Sequence, residues 1–331
     1  MPLTELTEGN AAGRAQVEIA LINNMPDSAL ETTETQFRGL LERAAGDMNV
    51  RLRYFSLPEV ARGEQARRRI ADRYGTLRDL WSSDLDAAIV TGAEPRTSDL
   101  TQEAYWKTLT AIMDWAKSEL VSSVWSCLAA HAAALHFDGI ARQPLAEKCC
   151  GVFAHDVAAH RLTRGLNVPQ RTPHSRWNAL PRTALEASGY RVLTHSPAAG
   201  VNLFVKDDRG LLVCWQGHPE YDELSLLKEY QRDMQRFLRK ERATYPIMPS
   251  GCFSERATAR LKEFETRARS APREDLASEF PFEIASRGLE NEWRISAVQF
   301  YRNWLRAMVD ARSRGAGPEA RHAAAARSRE R

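Results

Sequence analysis

The chain has 331 residues, 43% hydrophobic and 27% charged, the composition of a soluble globular enzyme with one large α/β domain or two small ones. Its opening MPLTELTEGNAAGRAQ is polar and no apolar run nears the roughly 18 residues of a membrane span, so no membrane contact is expected and the cytoplasm is the expected compartment. The net charge of +3 invites a nucleic-acid partner, but its location weighs against one: the six Arg and two Glu from Arg312 onward carry +4 and leave the body at about −1.

After a polar start (1–15) expected to be flexible, VEIALINN (17–24) is a β-branched apolar run of strand length. It stops at the turn signal Met25-Pro26-Asp27-Ser28, and Leu30, Phe37, Leu40 and Leu41 then share one helical face. VRLRYFSL (50–57) alternates as a strand does, and LDAAIVTGA (85–93) reads as a buried strand opening into a Thr-Gly-Ala loop. A helix is expected around 105–119, then a short strand at Val124-Trp125 and an alanine-rich helix over 128–135. Strands and helices alternating over short links predict a doubly wound, largely parallel sheet with its functional groups at the carboxyl ends of the strands.

From Lys148 the pattern changes to short strands: CCGVFAHDV, RVLTHS (191–196), VNLFVKD (201–207) and LLVCWQG (211–217), with PHSRWN (173–178) read as a loop. Gly217-His218-Pro219-Glu220-Tyr221-Asp222 follows the last strand, and a helix begins near Leu224. Residues 240–290 are charged, with helical pieces such as RATARLKEFETRARS, and EWRISAVQFYRNWLRAMV (292–309) closes the core as an aromatic-faced helix. One domain over 16–309 is expected, followed by a basic tail (310–331) too poor in apolar bulk to fold.

Five cysteines occur without a C-x-x-C pair or a zinc-site spacing, which argues against disulfides and metal, and four of them are read as small buried hydrophobes. Cys127 differs. It stands between a strand and a small-residue helix, where a sharp turn exposes the thiol and the helix N-terminus favours thiolate. His218 and Glu220 lie at the end of another strand, two residues apart, so that the carboxylate can orient the imidazole. A Cys, a His and an acid on neighbouring strand ends are the parts of covalent acyl transfer.

The segments INNMPDSALETTETQFRGLL, VTGAEP, SSVWSCLAAHAAALHFDGI, EKCCGVFAHDV, TPHSRWN and GHPEYD with its following EYQRD resemble, in order, the homoserine O-acyltransferase family. The resemblance runs from about residue 17 to Asp233, weakens through 240–290 and returns at EWRISAVQFYRNWL. It implies a flavodoxin-like fold of the class I glutamine amidotransferase type with added C-terminal helices. It also implies acyl-CoA and homoserine as substrates in methionine biosynthesis, no bound cofactor or metal, and a homodimer. Cys127 is then the acylated nucleophile, His218 the general base and acid, and Glu220 its orienting carboxylate. By the same resemblance Arg232 holds the amino acid's carboxylate, and Lys148 and Ser175 line the pocket. Candidate oxyanion donors are the backbone N–H groups of Leu128 and of the Gly92 loop.

Two departures qualify the resemblance. Family lysines after the first Met-Pro are replaced here by Asp27 and Ser28, and the residue matching the family's donor-selecting position is Arg96, where Gly accompanies succinyl and Glu accompanies acetyl. A cation there suits the free carboxylate of a succinyl donor, whereas Glu94 could instead take over the excluding role. Alternatives are an acetyl donor, a serine acceptor, a glutamine amidotransferase-like hydrolase with the same three side chains, and a binding protein that lost the chemistry.

Overall fold

The computed structural model describes residues 15–316 and the backbone of a two-residue strand, β1 (Thr4–Glu5). The expected flexible start thus falls almost wholly outside the described residues, as does 317–331 of the expected tail. The first half alternates strand and helix: β2 (Gln16–Ile22), α1 (Asp27–Ala45), β3 (Asn49–Phe55), α2 (Glu64–Arg73), α3 (Leu77–Trp81), β4 (Ala87–Val90), α4 (Trp106–Glu119), β5 (Ser122–Ser126) and α5 (Leu128–Asp138). The second half holds β6 (Gln143–Val157), β7 (Gln170–Ala179), α6 (Arg182–Ala187), β8 (Arg191–Ser196), β9 (Gly200–Asp207), β10 (Leu211–Trp215), α7 (Ser225–Leu238), α8 (Glu255–Ser270), α9 (Phe282–Ser286) and α10 (Arg294–Ala311).

One ten-stranded sheet runs β1-β3-β2-β4-β5-β10-β9-β8-β6-β7. Its stretch β3-β2-β4-β5-β10 is parallel throughout. Taken in chain order those five strands stand 2-1-3-4-5, the flavodoxin arrangement that the resemblance implied. The rest is antiparallel, so "largely parallel" holds only for this core.

Period-2 alternation divides the core strands between two layers of helix. Val17, Ile19 and Leu21 of β2 pack with Phe37 and Leu41 of α1 and with Phe300 and Trp304 of α10. Ala20 and Ile22 face the other way, with Ile112 and Met113 of α4 and the alanines of α5. The alanines let α5 lie close to the sheet, and Ala130, Ala133 and Ala134 are fully buried.

PHSRWN is not a loop. It forms most of β7, paired antiparallel with β6 through Val152↔Pro173, Gly151↔His174 and Cys150↔Ser175. Its Pro, Ser and Asn read as turn residues, but β7 is an edge strand, where a proline's missing N–H leaves no ladder bond unmade. The segment 240–290 builds a satellite core: Leu227, Tyr230 and Met234 of α7 pack on Leu261 and Phe264 of α8, with Leu276, Phe280 and Ala285. Helix α10 runs on past the expected boundary at 309 to Ala311, and Arg312 then bonds the Gln16 carbonyl and the Asp86 carboxylate at 2.7 and 3.0 Å.

Candidate active site

The carboxyl ends of β4, β5 and β10 meet at one rim of the sheet. Cys127 caps the N-terminus of α5 with φ 54° and ψ −113°. It is one of two non-glycine residues with positive φ among the described residues. An L-residue holds this backbone only where its surroundings over-determine it. They do so here: the Cys127 N–H donates to the Trp215 carbonyl at 2.7 Å, and its own carbonyl accepts from Ala130 N–H at 3.0 Å. A side chain on such a turn is thrust out of the sheet rather than into it.

Gly92, just beyond β4, is required by a close approach. A Cβ there would lie 2.9 Å from Leu128 Cβ and 3.1 Å from Leu128 N, so only glycine lets this loop press against the first turn of α5. The two backbone segments read as oxyanion donors are therefore in contact beside Cys127.

His218 follows β10, its N–H held by the Pro173 carbonyl at 2.8 Å and its ring stacked on Tyr221 with centroids 4.2 Å apart. Its Nδ1 lies 2.8 Å from Glu220 Oε1, and Ser126 Oγ is 3.5 Å from that same oxygen. With Nδ1 committed to the carboxylate, Nε2 is left to face the Cys127 thiol, whose charge acts on the ring. Burial pulls the His218 pKa down, but the charges of Cys127 and Glu220 and the bonds to both outweigh it. The net is a pKa well above the usual imidazole range. Burial pushes the thiols of the other four cysteines up: Cys150 and Cys252 to about 12, Cys149 and Cys214 by the same cause.

Cys127 and His218 open into a cleft of about 650 Å³ whose walls include Lys148 of β6, Ser175 and Trp177 of β7, and Glu229, Arg232, Asp233 and Arg236 of α7. Those four α7 residues stand at i, i+3, i+4 and i+7, one face of the helix. Asp233 gathers cations: Arg232 donates to it from Nε and Nη2 at 2.9 and 2.8 Å, Lys148 at 3.3 Å, and Arg242 lies 3.5 Å away. Burial opposes its ionisation, yet Lys148 and Arg232 hold the Asp233 carboxyl below its ordinary range. Glu229 accepts from the hydroxyls of Ser175 and Tyr221. The cleft is thus a set of fixed charges suited to a zwitterionic amino acid, with Arg232 Nη1 outside the bonds to Asp233.

The structure brings Cys127, His218, Glu220, Leu128, Gly92, Arg232, Lys148 and Ser175 together. It does not bring Arg96. That side chain lines a neighbouring cleft with Asp27, Glu59 and Tyr105, while its backbone N–H donates to Glu103 at 2.7 Å. The loop's charge inside the catalytic cleft is Glu94, ion-paired with Arg236 at 2.9 Å. The chain bends over residues 96–99, just beyond Glu94 and Pro95. Sequence reasoning missed Glu229, Asp233 and Arg236, although their helical spacing with Arg232 was a usable signal. Arg242 and Thr244 came from the stretch past α7 that carries no pattern. Among the described residues no cluster of His, Cys, Asp or Glu is placed to hold a metal, and no helix is long and apolar enough to cross a membrane.

Behind the cleft lies a buried polar ladder. His155 and His174 meet Nε2 to Nε2 at 3.1 Å, and Arg176 donates to His174 Nδ1 at 3.3 Å and to the Asn178 carbonyl at 2.7 Å. His131 bonds Gln216 at 2.8 Å.

A family model described as homoserine O-succinyltransferase matches residues 5–314. The chain is 45% identical to the homoserine O-succinyltransferase of Rhodopseudomonas palustris over 297 residues, 89% of each chain. It is 43% identical to that of Bradyrhizobium japonicum over 310 residues, 91% of this chain and 94% of the relative. Among solved structures it is similar to a glutamine amidotransferase from Thermotoga maritima, with TM-score 0.49, 12% identity and coverage of 88% and 98%.

Proposed function

The chain belongs to the homoserine O-succinyltransferase family, and from that premise we propose that it moves a succinyl group from succinyl-CoA to the γ-hydroxyl of homoserine through a thioester on Cys127. The product, an O-acylhomoserine, is the activated intermediate expected in methionine biosynthesis. The observation that carries the reading is Cys127 on its strained turn, lining one cleft of fixed charges with a His218 that Glu220 orients.

In the first half-reaction the Cys127 sulfur attacks the thioester carbonyl of the acyl-CoA. The oxyanion forms against the backbone N–H groups of Leu128 and the Gly92 loop, donors already in place. Collapse expels the CoA sulfur, which takes the proton held on His218, leaving CoA thiol and acyl-Cys127. In the second half, the homoserine hydroxyl gives its proton to His218 as its oxygen attacks the new thioester. Collapse frees the Cys127 sulfur and the ester. Acylation itself prepares this step: it removes the Cys127 charge that raises the His218 pKa, while burial, which lowers it, persists. The ring then becomes neutral and able to accept a proton.

Arg232 would take the homoserine carboxylate through the edge that Asp233 leaves open, and Glu229 with Ser175 would face the ammonium group. A homodimer is the assembly proposed, checked by light scattering. The test of function is a matrix of succinyl-CoA and acetyl-CoA against homoserine and serine. Transfer from succinyl-CoA to homoserine is expected to dominate. Efficient acetyl transfer with none from succinyl-CoA would overturn the donor, and dominance of serine the acceptor.

A further inference from the structure

Four cations line the catalytic cleft: Lys148, Arg232, Arg236 and Arg242. Three of them converge on Asp233 and leave it no need of a fourth. Arg236 stands apart. It lies one turn of α7 beyond Arg232, about 6 Å further along the helix, and reaches across the cleft mouth to Glu94 at 2.9 Å. Glu94 is two residues past Gly92, the glycine whose contact with Leu128 seats this loop against the nucleophile. The pair therefore ties the α7 wall of the cleft to the loop that is seated against the nucleophile's helix.

The pair is also easily parted. The Arg236 side chain is 35% exposed and that of Glu94 56%, so water screens their attraction and its opening costs little. An acetyl group has no charge for this wall to meet. A succinyl group carries a carboxylate two carbons beyond the reacting carbonyl, and an unpaired carboxylate in the cleft would be strongly disfavoured. Arg96, the cation expected to answer it, lies in the neighbouring cleft.

We propose that Arg236 is the donor-selecting residue: the distal carboxylate of a dicarboxylic acyl-CoA displaces Glu94 from the Arg236 guanidinium, while a neutral acyl donor leaves the pair closed. Glu94 thereby holds the cation in place between turnovers and disfavours donors that cannot displace it. The inference rests on the thioester reading above.

The test uses the full-length protein with homoserine and two donors of equal carbon count, succinyl-CoA and butyryl-CoA. In Arg236→Gln, kcat/KM for succinyl-CoA is expected to fall about 10- to 100-fold more than for butyryl-CoA, the loss of one charge-assisted contact. Arg236→Lys should recover part of that loss, and Glu94→Gln should lower KM for succinyl-CoA. Retained butyryl transfer in Arg236→Gln shows that the variant folds. Equal losses for both donors, or none, would overturn the assignment while leaving the thioester reading intact. A wild-type protein that forms no thioester from either donor would sink both.

Discussion

The proposed cycle asks His218 to hold a proton in one half and to lack it in the other, and its surroundings supply the means. Two acidic neighbours raise its pKa against the pull of burial, and one of them, Cys127, would lose its charge in the proposed acyl-enzyme. Glu220→Gln keeps the shape but removes the charge that orients and protonates the ring, so kcat should drop by about 10²- to 10⁴-fold. Stopped-flow measurement of CoA release should show both half-reactions slowed, and an unchanged rate would remove Glu220 from the mechanism. That Cys127, His218 and Glu220 meet at one rim was legible in the sequence because strand ends are where such groups gather. Arg96 was expected at the catalytic cleft and lines the neighbouring one, because which cleft a loop residue lines depends on the backbone path over 96–99, which spacing cannot show.

The elements divide in the same way. Apolar runs and their alternation located β2, β3, β4, β5 and β10, since burial on two faces writes itself into sequence. Helix α2 went unnoticed because only its Ala66 is buried; it is held instead by Arg69, which clasps the buried Glu34 of α1 from Nε and Nη2 at 2.8 and 2.7 Å. Edge strand β7 was hidden by its polar residues. The contact between the β4 loop and α5 yields a second prediction. Gly92→Ala places a methyl 2.9 Å from Leu128 Cβ, where the loop must retreat. With one oxyanion donor displaced, kcat should fall on the order of 10²- to 10³-fold. Circular dichroism should show the fold retained, and full activity in the variant would rule out that loop as a donor. A third concerns α7, whose inner face meets the satellite core. Met234→Ala should cost about 2–5 kcal/mol in urea unfolding, Met234 being fully buried. A loss well under 1 kcal/mol would mean that this core does not anchor the helix.

The whole molecule carries a dependence on acid that no local motif announces. Burial, with the Arg176 charge adding to it, depresses His131 to about 3, and burial takes His155 to about 4; burial likewise takes His174 well below its ordinary value. Each titrates near 6.5 when unfolded, so between about 6.5 and 4 the unfolded chain binds more protons and stability falls as pH falls. His218 runs the other way: its raised value contributes stability below about 6.5 that is lost as pH rises through the folded value. Four depressed histidines, His160 joining these three through its burial, against one raised predict a lower urea midpoint at pH 5 than at pH 7.5, and equal midpoints would contradict the buried, neutral ladder. The central claim is that Cys127 carries the acyl group. Intact-protein mass spectrometry after mixing with succinyl-CoA alone tests it directly. One succinyl adduct is predicted, on Cys127, discharged when homoserine is added and absent in Cys127→Ala. Homoserine acylation at full rate with no adduct in the wild type, or in Cys127→Ala, would contradict it.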